Sequence, residues 1–319
     1  MDYVLNLFLL VIGFAFLIKG ADLFVDGSSS VAKLLKIPTV IIGLTIVSIG
    51  TSLPEAAVSI SASIKGAYDL SIANVVGSNI FNLLGVVGVS AIICPFVVDK
   101  VIMKRDFPIS IITTVILAVM LWDCKLSLVE SIILFVLFAV YIFVLVRSAL
   151  KNREEAEEDY KVLSPARSII YIILGIVGIV AGGTITVNAA TFFARALNMS
   201  ELLIGLTIVA VGTSLPELVT SVVAAKKGES EIALGNVIGS NIFNILFILG
   251  MSGIVHPLVC DVGALIDTIL LIGMSTLMFF IYKMKDKVTR PVGYISVSIY
   301  VVYVLYIILR AYNMLPAIF

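Results

Sequence analysis

Two glutamates, Glu55 and Glu217, lie deep inside apolar stretches of this 319-residue chain, and each ends the same motif, GTSLPE. An ionised side chain at the centre of a bilayer costs roughly 2.5–3.5 kcal/mol on insertion scales, so residues of this kind usually serve a function. Two carboxylates brought close together repel each other unless a cation compensates their charge. A divalent cation that accepts both is the simplest compensation. The alternative is a pair of protonated structural glutamates that hydrogen-bond to their neighbours.

A second repeated motif supplies neutral oxygen atoms. Residues 74–82, NVVGSNIFN, return at 236–244 as NVIGSNIFN, and neither copy contains His or Cys, which argues against zinc or copper. On a helix, side chains four residues apart share a face, as Ser78 and Asn82 do in the first copy and Ser240 and Asn244 in the second. Hydroxyl and amide oxygens beside carboxylates suit Na+ and also Ca2+, which takes roughly 6–8 oxygen ligands. The alternative is that these side chains only join helices.

The proline of each GTSLPE motif should break its helix. Pro54 lacks an N–H, and its ring clashes with the carbonyl of Gly50 four residues back; Pro216 and Gly212 repeat this arrangement. A broken helix at membrane depth is tolerated only where the freed backbone lines a cavity or is buried in protein. The carbonyls released at each break are oxygen ligands of the kind that a hard cation needs.

The elements that must position these residues are membrane helices. The chain is 61% hydrophobic and 13% charged, with a mean hydropathy of +1.18, whereas soluble domains average about 45–50% and about 25%. Lipid is therefore the expected solvent. Continuous apolar runs of about 20 residues match a hydrocarbon core of about 30 Å and exclude a barrel, whose strands alternate. Ten spans are predicted, at 3–25, 39–63, 71–94, 107–122, 127–147, 168–190, 201–225, 232–255, 262–282 and 292–310.

The motifs also show that the chain is an internal duplication. Residues 41–55 and 203–217 are identical at twelve of fifteen positions, and both motif pairs are offset by 162 residues. Five predicted spans separate the copies, so equivalent segments cross the membrane in opposite directions. The sequence thus predicts an all-α polytopic membrane protein with ten transmembrane helices in two inverted five-helix repeats, the second and seventh helices broken. The first repeat is residues 1–147, the cytoplasmic linker 148–167 and the second repeat 168–319.

Basic residues set the predicted orientation. Sixteen Lys and Arg residues fall in one set of connections and four in the opposite set, which includes both termini. Because cytoplasmic loops carry the excess of Lys and Arg, both termini are expected outside, in a multi-pass protein of the cell membrane. The three cysteines, Cys94, Cys124 and Cys260, form no CxxC pair, and neither a disulfide nor a zinc site is expected from their spacing.

Two copies of GTSLPE, each followed by NxxGSNxxN, resemble the repeats of the cation/Ca2+ exchanger superfamily, specifically its prokaryotic sodium/calcium exchangers. The resemblance covers essentially the whole chain. It implies a central cluster of cation sites, with Ca2+ held by the Glu55 and Glu217 side chains and by the backbone carbonyls of Thr51 and Thr213. The flanking Na+ sites would use the same glutamates together with side chains or backbone oxygens of Ser52, Ser214, Ser78, Ser240, Ser48 and Ala210. The resemblance also implies that the first and sixth helices slide against a rigid core.

Two features depart from parts of this family. The repeats differ at Ser48 and Ala210, and some relatives, including potassium-dependent ones, carry Asp where this chain has Asn244. With Asn at both 82 and 244, potassium dependence is not expected. The implied function is secondary active antiport of Na+ against Ca2+ by alternating access at the membrane midplane.

Other functions stay open at this point. Ca2+/H+ antiport could use the same two glutamates as proton carriers, and a cation channel is a further alternative. An intramembrane protease would use aspartates and has no role for the repeated prolines. The chain is expected to be a transporter rather than an enzyme, with no prosthetic group. Its expected partners are Ca2+, Na+ and the lipid bilayer, with no nucleic acid and no obligate protein partner.

Overall fold

The fold follows a computed structural model that describes residues 2–151, 162–312 and 314. Its long helices are α1 (Asp2–Leu35), α2 (Thr39–Thr51 and Leu53–Ile64), α3 (Tyr68–Ile93), α4 (Ile102–Asp123), α5 (Leu128–Lys151), α6 (Pro165–Ala196), α7 (Thr207–Thr213 and Leu215–Lys226), α8 (Ser230–Val255), α9 (Val262–Lys283) and α10 (Arg290–Ala311). A short segment, Glu201–Ile204, precedes α7. Eight of these helices are each long and apolar enough to cross a membrane, and α2 and α7 bring the number to ten if each bent pair is one span.

The breaks predicted in the second and seventh helices are confirmed. The two parts of α2 meet at 50° and those of α7 at 52°. The residues at the bends, Ser52 and Ser214, leave helical geometry with ψ of 10°, and a proline stands at the second position of each following helix. Proline is accommodated there because its missing N–H falls among the unpaired donors of a helix start.

α1 and α6 exceed their predicted lengths more than the other helices do. α1 has 34 residues and α6 has 32, whereas the predicted spans were 3–25 and 168–190. α1 continues past Asp26 because its polar last turns contact the connection between α7 and α8. The linker predicted at 148–167 lies partly outside the described residues, and α5 and α6 take up its two ends.

Glycines bring α1 and α6 into close antiparallel contact. A Cβ added at Gly20 would lie 2.7 Å from the backbone nitrogen of Ile179, and one at Gly182 would lie 2.6 Å from that of Leu17. Further along α1, Gly27 meets Ser168 in the same way. Higher numbers on α1 thus meet lower numbers on α6, and only glycine lets the two backbones approach this closely.

Short strands join the two halves of the chain. β1 (Phe96–Val97) pairs antiparallel with β4 (Lys287–Val288), and β2 (Lys125–Leu126) pairs antiparallel with β3 (Leu258–Val259). β1 and β3 are related by the 162-residue offset, and so are β2 and β4, so the two strand pairs are equivalent with the halves exchanged. At the centre of the molecule lie α3 and α8, which are largely buried.

Candidate cation site

Glu55 and Glu217 lie in the first turn after the two helix breaks and are fully buried. Each accepts a hydrogen bond from the serine at the other break: Ser214 Oγ donates to Glu55 Oε1 and Ser52 Oγ donates to Glu217 Oε1, both at 2.7 Å. The two bonds are related by exchange of the halves. The four side chains therefore form one cluster, in which a serine of each half donates a hydrogen bond to the glutamate of the other half.

The second oxygen of each carboxylate, Oε2, has no hydrogen-bond partner among the described residues. The same part of the chain contains no group of three or more His, Cys, Asp or Glu side chains that could hold a metal. A buried ionised carboxylate is costly unless a charge compensates it. A cation between the two glutamates would supply that charge and would draw its remaining ligands from neutral oxygens.

Neutral oxygens are present on α3 and α8. Ser78, Asn82 and Asn244 are buried, and Ser78 Oγ, Asn244 Oδ1 and both polar side-chain atoms of Asn82 have no partner in the described part of the chain. Ser240 Oγ donates to the carbonyl of Ser48 at 3.4 Å, which brings α8 against α2. Buried polar atoms without partners cost about 1–3 kcal/mol each, so a set of them indicates a place for a ligand.

The backbone shapes this cluster through π-helical turns, which the sequence analysis did not predict. Phe81–Val86 and Asn244–Leu249 form such turns in α3 and α8, and Gly43–Val47 forms one in α2. An added residue in a helical turn re-aims the side chains around it, and such turns are frequent at functional sites. Asn82 and Asn244 both lie in these turns.

Two further asparagines of the repeated motif, which the sequence analysis did not assign to the cation site, hold the glutamate turns in place. Asn236 Nδ2 donates to the carbonyl of Glu217 at 3.3 Å and to Ser221 Oγ at 3.0 Å. Asn74 Nδ2 makes the equivalent bonds to the carbonyl of Glu55 and to Ser59 Oγ, at 3.4 and 2.9 Å. One signal in the sequence could have identified these two asparagines: each follows its glutamate by nineteen residues.

The cluster is more closed on the α2 side than on the α7 side. Thr51 is fully buried, and its Oγ1 donates to Asn236 Oδ1 at 2.9 Å. Its equivalent, Thr213, is partly exposed and donates to the carbonyl of Ala210 at 3.3 Å. Ser48 is fully buried, whereas Ala210 is partly exposed.

The sequence-predicted site residues are thus distributed in two sets. The residues that make contacts between the halves are Glu55, Glu217, Ser52, Ser214, Ser240, Ser48, Thr51 and Asn244. The others, Ser78, Asn82, Thr213 and Ala210, lie on the same four helices, α2, α3, α7 and α8.

Comparison with known proteins identifies the family. The family model described as "Sodium/calcium exchanger protein" matches residues 5–147 and 167–309. The chain belongs to the sodium/calcium exchanger family. The sodium/calcium exchanger MaX1 of Methanosarcina acetivorans is 35% identical over 93% of this chain and 97% of its own. The inner membrane protein YrbG of Escherichia coli is 37% identical over 78% of this chain and 79% of its own.

Solved structures agree with this assignment. A structure of the sodium-calcium exchanger NCX_Mj superposes with a TM-score of 0.83 at 33% identity, over 95% of this chain and 98% of that chain. The family consists of exchangers of Na+ and Ca2+, and its role implies no prosthetic group. The chain is therefore a multi-pass membrane transporter of this family with an all-helical fold.

Proposed function

We propose that this chain exchanges Na+ for Ca2+ by secondary active antiport, with alternating access to one site between two inverted repeats. The observation that carries the proposal is the reciprocal bonding of Glu55 by Ser214 and of Glu217 by Ser52. A site built equally from both halves changes whenever one half moves relative to the other. That property is required of a carrier, whose site must face the two sides of the membrane in turn.

The proposed inversion is supported by how equivalent elements meet. α1 and α6 hold equivalent places in the two proposed repeats, residues 1–147 and 168–319, and they run antiparallel. The strand pairs β1·β4 and β2·β3 exchange partners between the halves. The reciprocal bonds between the Asn79 and Asn241 amides and each other's carbonyls, at 3.0 and 3.2 Å, obey the same two-fold relation. An axis in the membrane plane accounts for all three.

The proposed ligands divide by chemistry. Ca2+ is the harder and more highly charged ion, and it takes both carboxylates together with the carbonyls freed at the breaks. Na+ takes the flanking hydroxyl, amide and carbonyl oxygens and shares the carboxylates, so that the two ions compete. The proposed set is Glu55, Glu217, Thr51 and Thr213 for Ca2+, and Ser52, Ser214, Ser78, Ser240, Asn82, Asn244, Ser48 and Ala210 for Na+.

The proposed location is the cell membrane, with both termini outside. The excess of Lys and Arg in one set of connections supports the orientation. The relative YrbG is named as an inner membrane protein, which supports the location. In this orientation the first part of α7 lies toward the outside, and the partial exposure of Thr213 fits a site that is open outward and closed toward the cytoplasm.

Ca2+/H+ antiport at the same glutamates is the competing function. The serines bonded to both carboxylates favour Na+, because a hydroxyl oxygen can be a ligand for Na+ but is not needed to carry a proton. The deciding experiment is uptake of radioactive Ca2+ into proteoliposomes under separately imposed Na+ and H+ gradients. Uptake driven by the Na+ gradient at matched pH supports the proposal, whereas uptake driven only by the H+ gradient contradicts it.

A further inference from the structure

Cys124 and Cys260 face each other across the β2·β3 pair, although 136 positions separate them in the sequence. The register pairs Lys125 with Val259 and Leu126 with Leu258, so the next position pairs Cys124 with Cys260. The N–H of Cys260 donates to the carbonyl of Cys124 at 3.0 Å. The backbones of the two cysteines are therefore hydrogen-bonded to each other, at the position next to the paired strand residues.

We propose that Cys124 and Cys260 form a disulfide that covalently joins the two halves of the exchanger. Directly opposed residues of an antiparallel pair have Cα atoms about 4.5–5.5 Å apart and side chains on the same face. A disulfide requires Cα atoms about 4.4–6.8 Å apart, a range that includes this spacing. Cys124 lies just before β2, with a left-handed φ of 58°, and its backbone carbonyl still accepts the N–H of Cys260. In the proposed orientation both loops lie outside, where disulfides persist.

The chemistry is two successive exchanges with a small disulfide such as oxidised glutathione. The Cys124 thiolate attacks one sulfur of that disulfide and releases a first glutathione thiolate, which takes the proton of Cys260. The Cys260 thiolate then attacks the Cys124 sulfur and releases a second glutathione thiolate, which takes the proton that Cys124 lost. Two protein thiols are oxidised to one disulfide, and one glutathione disulfide is reduced to two thiols.

The surroundings decide the order of these steps. Cys124 is partly exposed, whereas Cys260 is buried. Burial, and then the nearby Cys124, Asp261 and Asp69, raise the pKa of the Cys260 thiol to about 12. Cys124 therefore attacks first, and the second exchange becomes faster as the pH rises because more of Cys260 is then ionised. Cys94 lies elsewhere, with its thiol directed to the carbonyl of Ala225 at 3.4 Å.

The other strand pair offers a matched geometric control. The N–H of Val98 donates to the carbonyl of Asp286 at 3.0 Å, and these residues are the equivalents of Cys260 and Cys124 after a shift of 162. The double substitution Val98→Cys and Asp286→Cys, in a chain with Cys94, Cys124 and Cys260 changed to Ser, therefore places two cysteines in the same register at the other end of the fold. It tests the geometry without the native surroundings.

The test is a crosslink between the two halves in the full-length purified exchanger. A protease site is introduced between residues 151 and 162, the protein is treated with oxidised glutathione in detergent and cleaved, and the halves are separated on a non-reducing gel. The wild type and Cys94→Ser should give one band of the full mass, which separates into two on reduction. Cys124→Ser and Cys260→Ser should give two halves in both gels.

Two outcomes would overturn the proposal. Wild-type halves that separate without reductant, while the control pair at 98 and 286 stays joined, would show that the native surroundings prevent the bond. Separation of both pairs would show that this register does not admit a disulfide. Variants are compared only where size-exclusion chromatography gives the elution volume of the wild type, so that loss of the crosslink is distinguished from loss of the fold.

Discussion

The ammonium group of Lys227 lies 2.6 Å from a carboxylate oxygen of Asp26, and this ion pair joins the connection after α7 to α1. The same ammonium reaches Asp22 at 2.7 Å. Burial alone would lower the pKa of Lys227, but its hydrogen bonds to Asp22 and Asp26 and their negative charges outweigh burial and raise it. The equivalent positions at the other end of the fold hold Lys65, Thr184 and Asn188, so no acid faces Lys65 there from those two positions.

Neighbouring contacts strengthen the same end. Glu229 accepts a hydrogen bond from Ser29 at 2.5 Å and lies 3.6 Å from the Lys33 ammonium. Glu231 accepts bonds from the Thr39 hydroxyl at 2.5 Å and from the N–H of Val40 at 3.2 Å, which fixes the start of α2. Position 67, the equivalent of Glu229, is alanine. The contacts therefore favour closure at the α2 end, in line with the full burial of Thr51.

Lys227→Gln should loosen this closed end. Partly exposed ion pairs contribute about 1 kcal/mol at most, so we expect a shift of about fivefold toward open states at this end. The measurement is hydrogen–deuterium exchange of the amides in residues 39–51, which should become faster. Lys65→Gln is the matched control and should leave that exchange unchanged. Equal exchange in the wild type and Lys227→Gln would show that the ion pairs between Lys227 and α1 do not stabilise the closed end.

Glu55→Gln or Glu217→Gln should abolish Ca2+ exchange while the protein still folds. Either change leaves Ca2+ with one carboxylate instead of two, although the serine bond to the remaining amide oxygen can persist. Ca2+ at one hundred times its dissociation constant should stabilise the wild type by about 2.7 kcal/mol, and this gain should vanish in both variants. Glu130→Gln is the control, because Glu130 lies in the first turn of α5, where it accepts a hydrogen bond from the Ser127 hydroxyl. Normal Ca2+ flux in either site variant would refute the assignment.

Potassium should not be needed for exchange, because positions 82 and 244 are neutral amides. Asn244→Asp adds a third carboxylate to the cluster and removes the amide that donates to Asn79 Oδ1 at 3.0 Å. A proton can neutralise the added charge, so the pH profile of exchange by this variant should differ from that of the wild type. A several-fold rise in wild-type uptake on adding K+ at clamped voltage, or identical pH profiles, would contradict these expectations.

The duplication made the candidate site predictable. Two identical motifs single out Glu55 and Glu217, and the rules for proline inside a helix predict a break in each motif without any tertiary information. The bends lie at Ser52 and Ser214. Which serine bonds which glutamate was not predictable. The partners come from opposite halves. Only the packing of α2 against α7 decides that each carboxylate accepts its hydrogen bond from the serine of the other half.

Long-range contacts also explain the remaining differences between the predictions from sequence and the structure. The first span was predicted to end at 25, whereas α1 continues to Leu35 and its Asp26 is paired with Lys227, some 200 residues away. The cysteines were assigned no partner from their spacing, and the register of β2 with β3 opposes Cys124 and Cys260. The π-helical turns leave no clear pattern in the sequence because they depend on the helices packed around them.

Gly20→Ala should impair exchange and lower stability. Its Cβ would lie 2.7 Å from the Ile179 nitrogen and 2.9 Å from the Gly175 carbonyl oxygen, so α1 and α6 would have to separate. Overpacking of this kind costs about 1–3 kcal/mol. Gly273→Ala in α9 is the control, because nothing lies within 4 Å of a Cβ there. The melting temperature and Na+-driven uptake should fall in the first variant only; equal values in both would show that close contact of α1 and α6 is dispensable.

The native cysteines report the orientation of the chain. Cys124 and Cys94 are both partly exposed, and the charge distribution predicts that Cys124 lies outside and Cys94 at the cytoplasmic face. In right-side-out vesicles, a membrane-impermeant maleimide should label a variant that keeps only Cys124. A variant that keeps only Cys94 should react with the maleimide only after the vesicles are permeabilised. The reverse pattern would invert the orientation without affecting the fold.

Equivalent positions test the inversion itself. Lys65 and Lys227 are related by the 162-residue offset and lie in the connections that follow α2 and α7. In a cysteine-free background, Lys65→Cys should be labelled from outside, and Lys227→Cys should be labelled only after permeabilisation. Parallel repeats would place both positions on the same side whatever the orientation of the chain. Labelling of both from one side would therefore refute the inverted repeat. It would also refute the two-fold site in which Ser52 and Ser214 each donate a hydrogen bond to the glutamate of the other half.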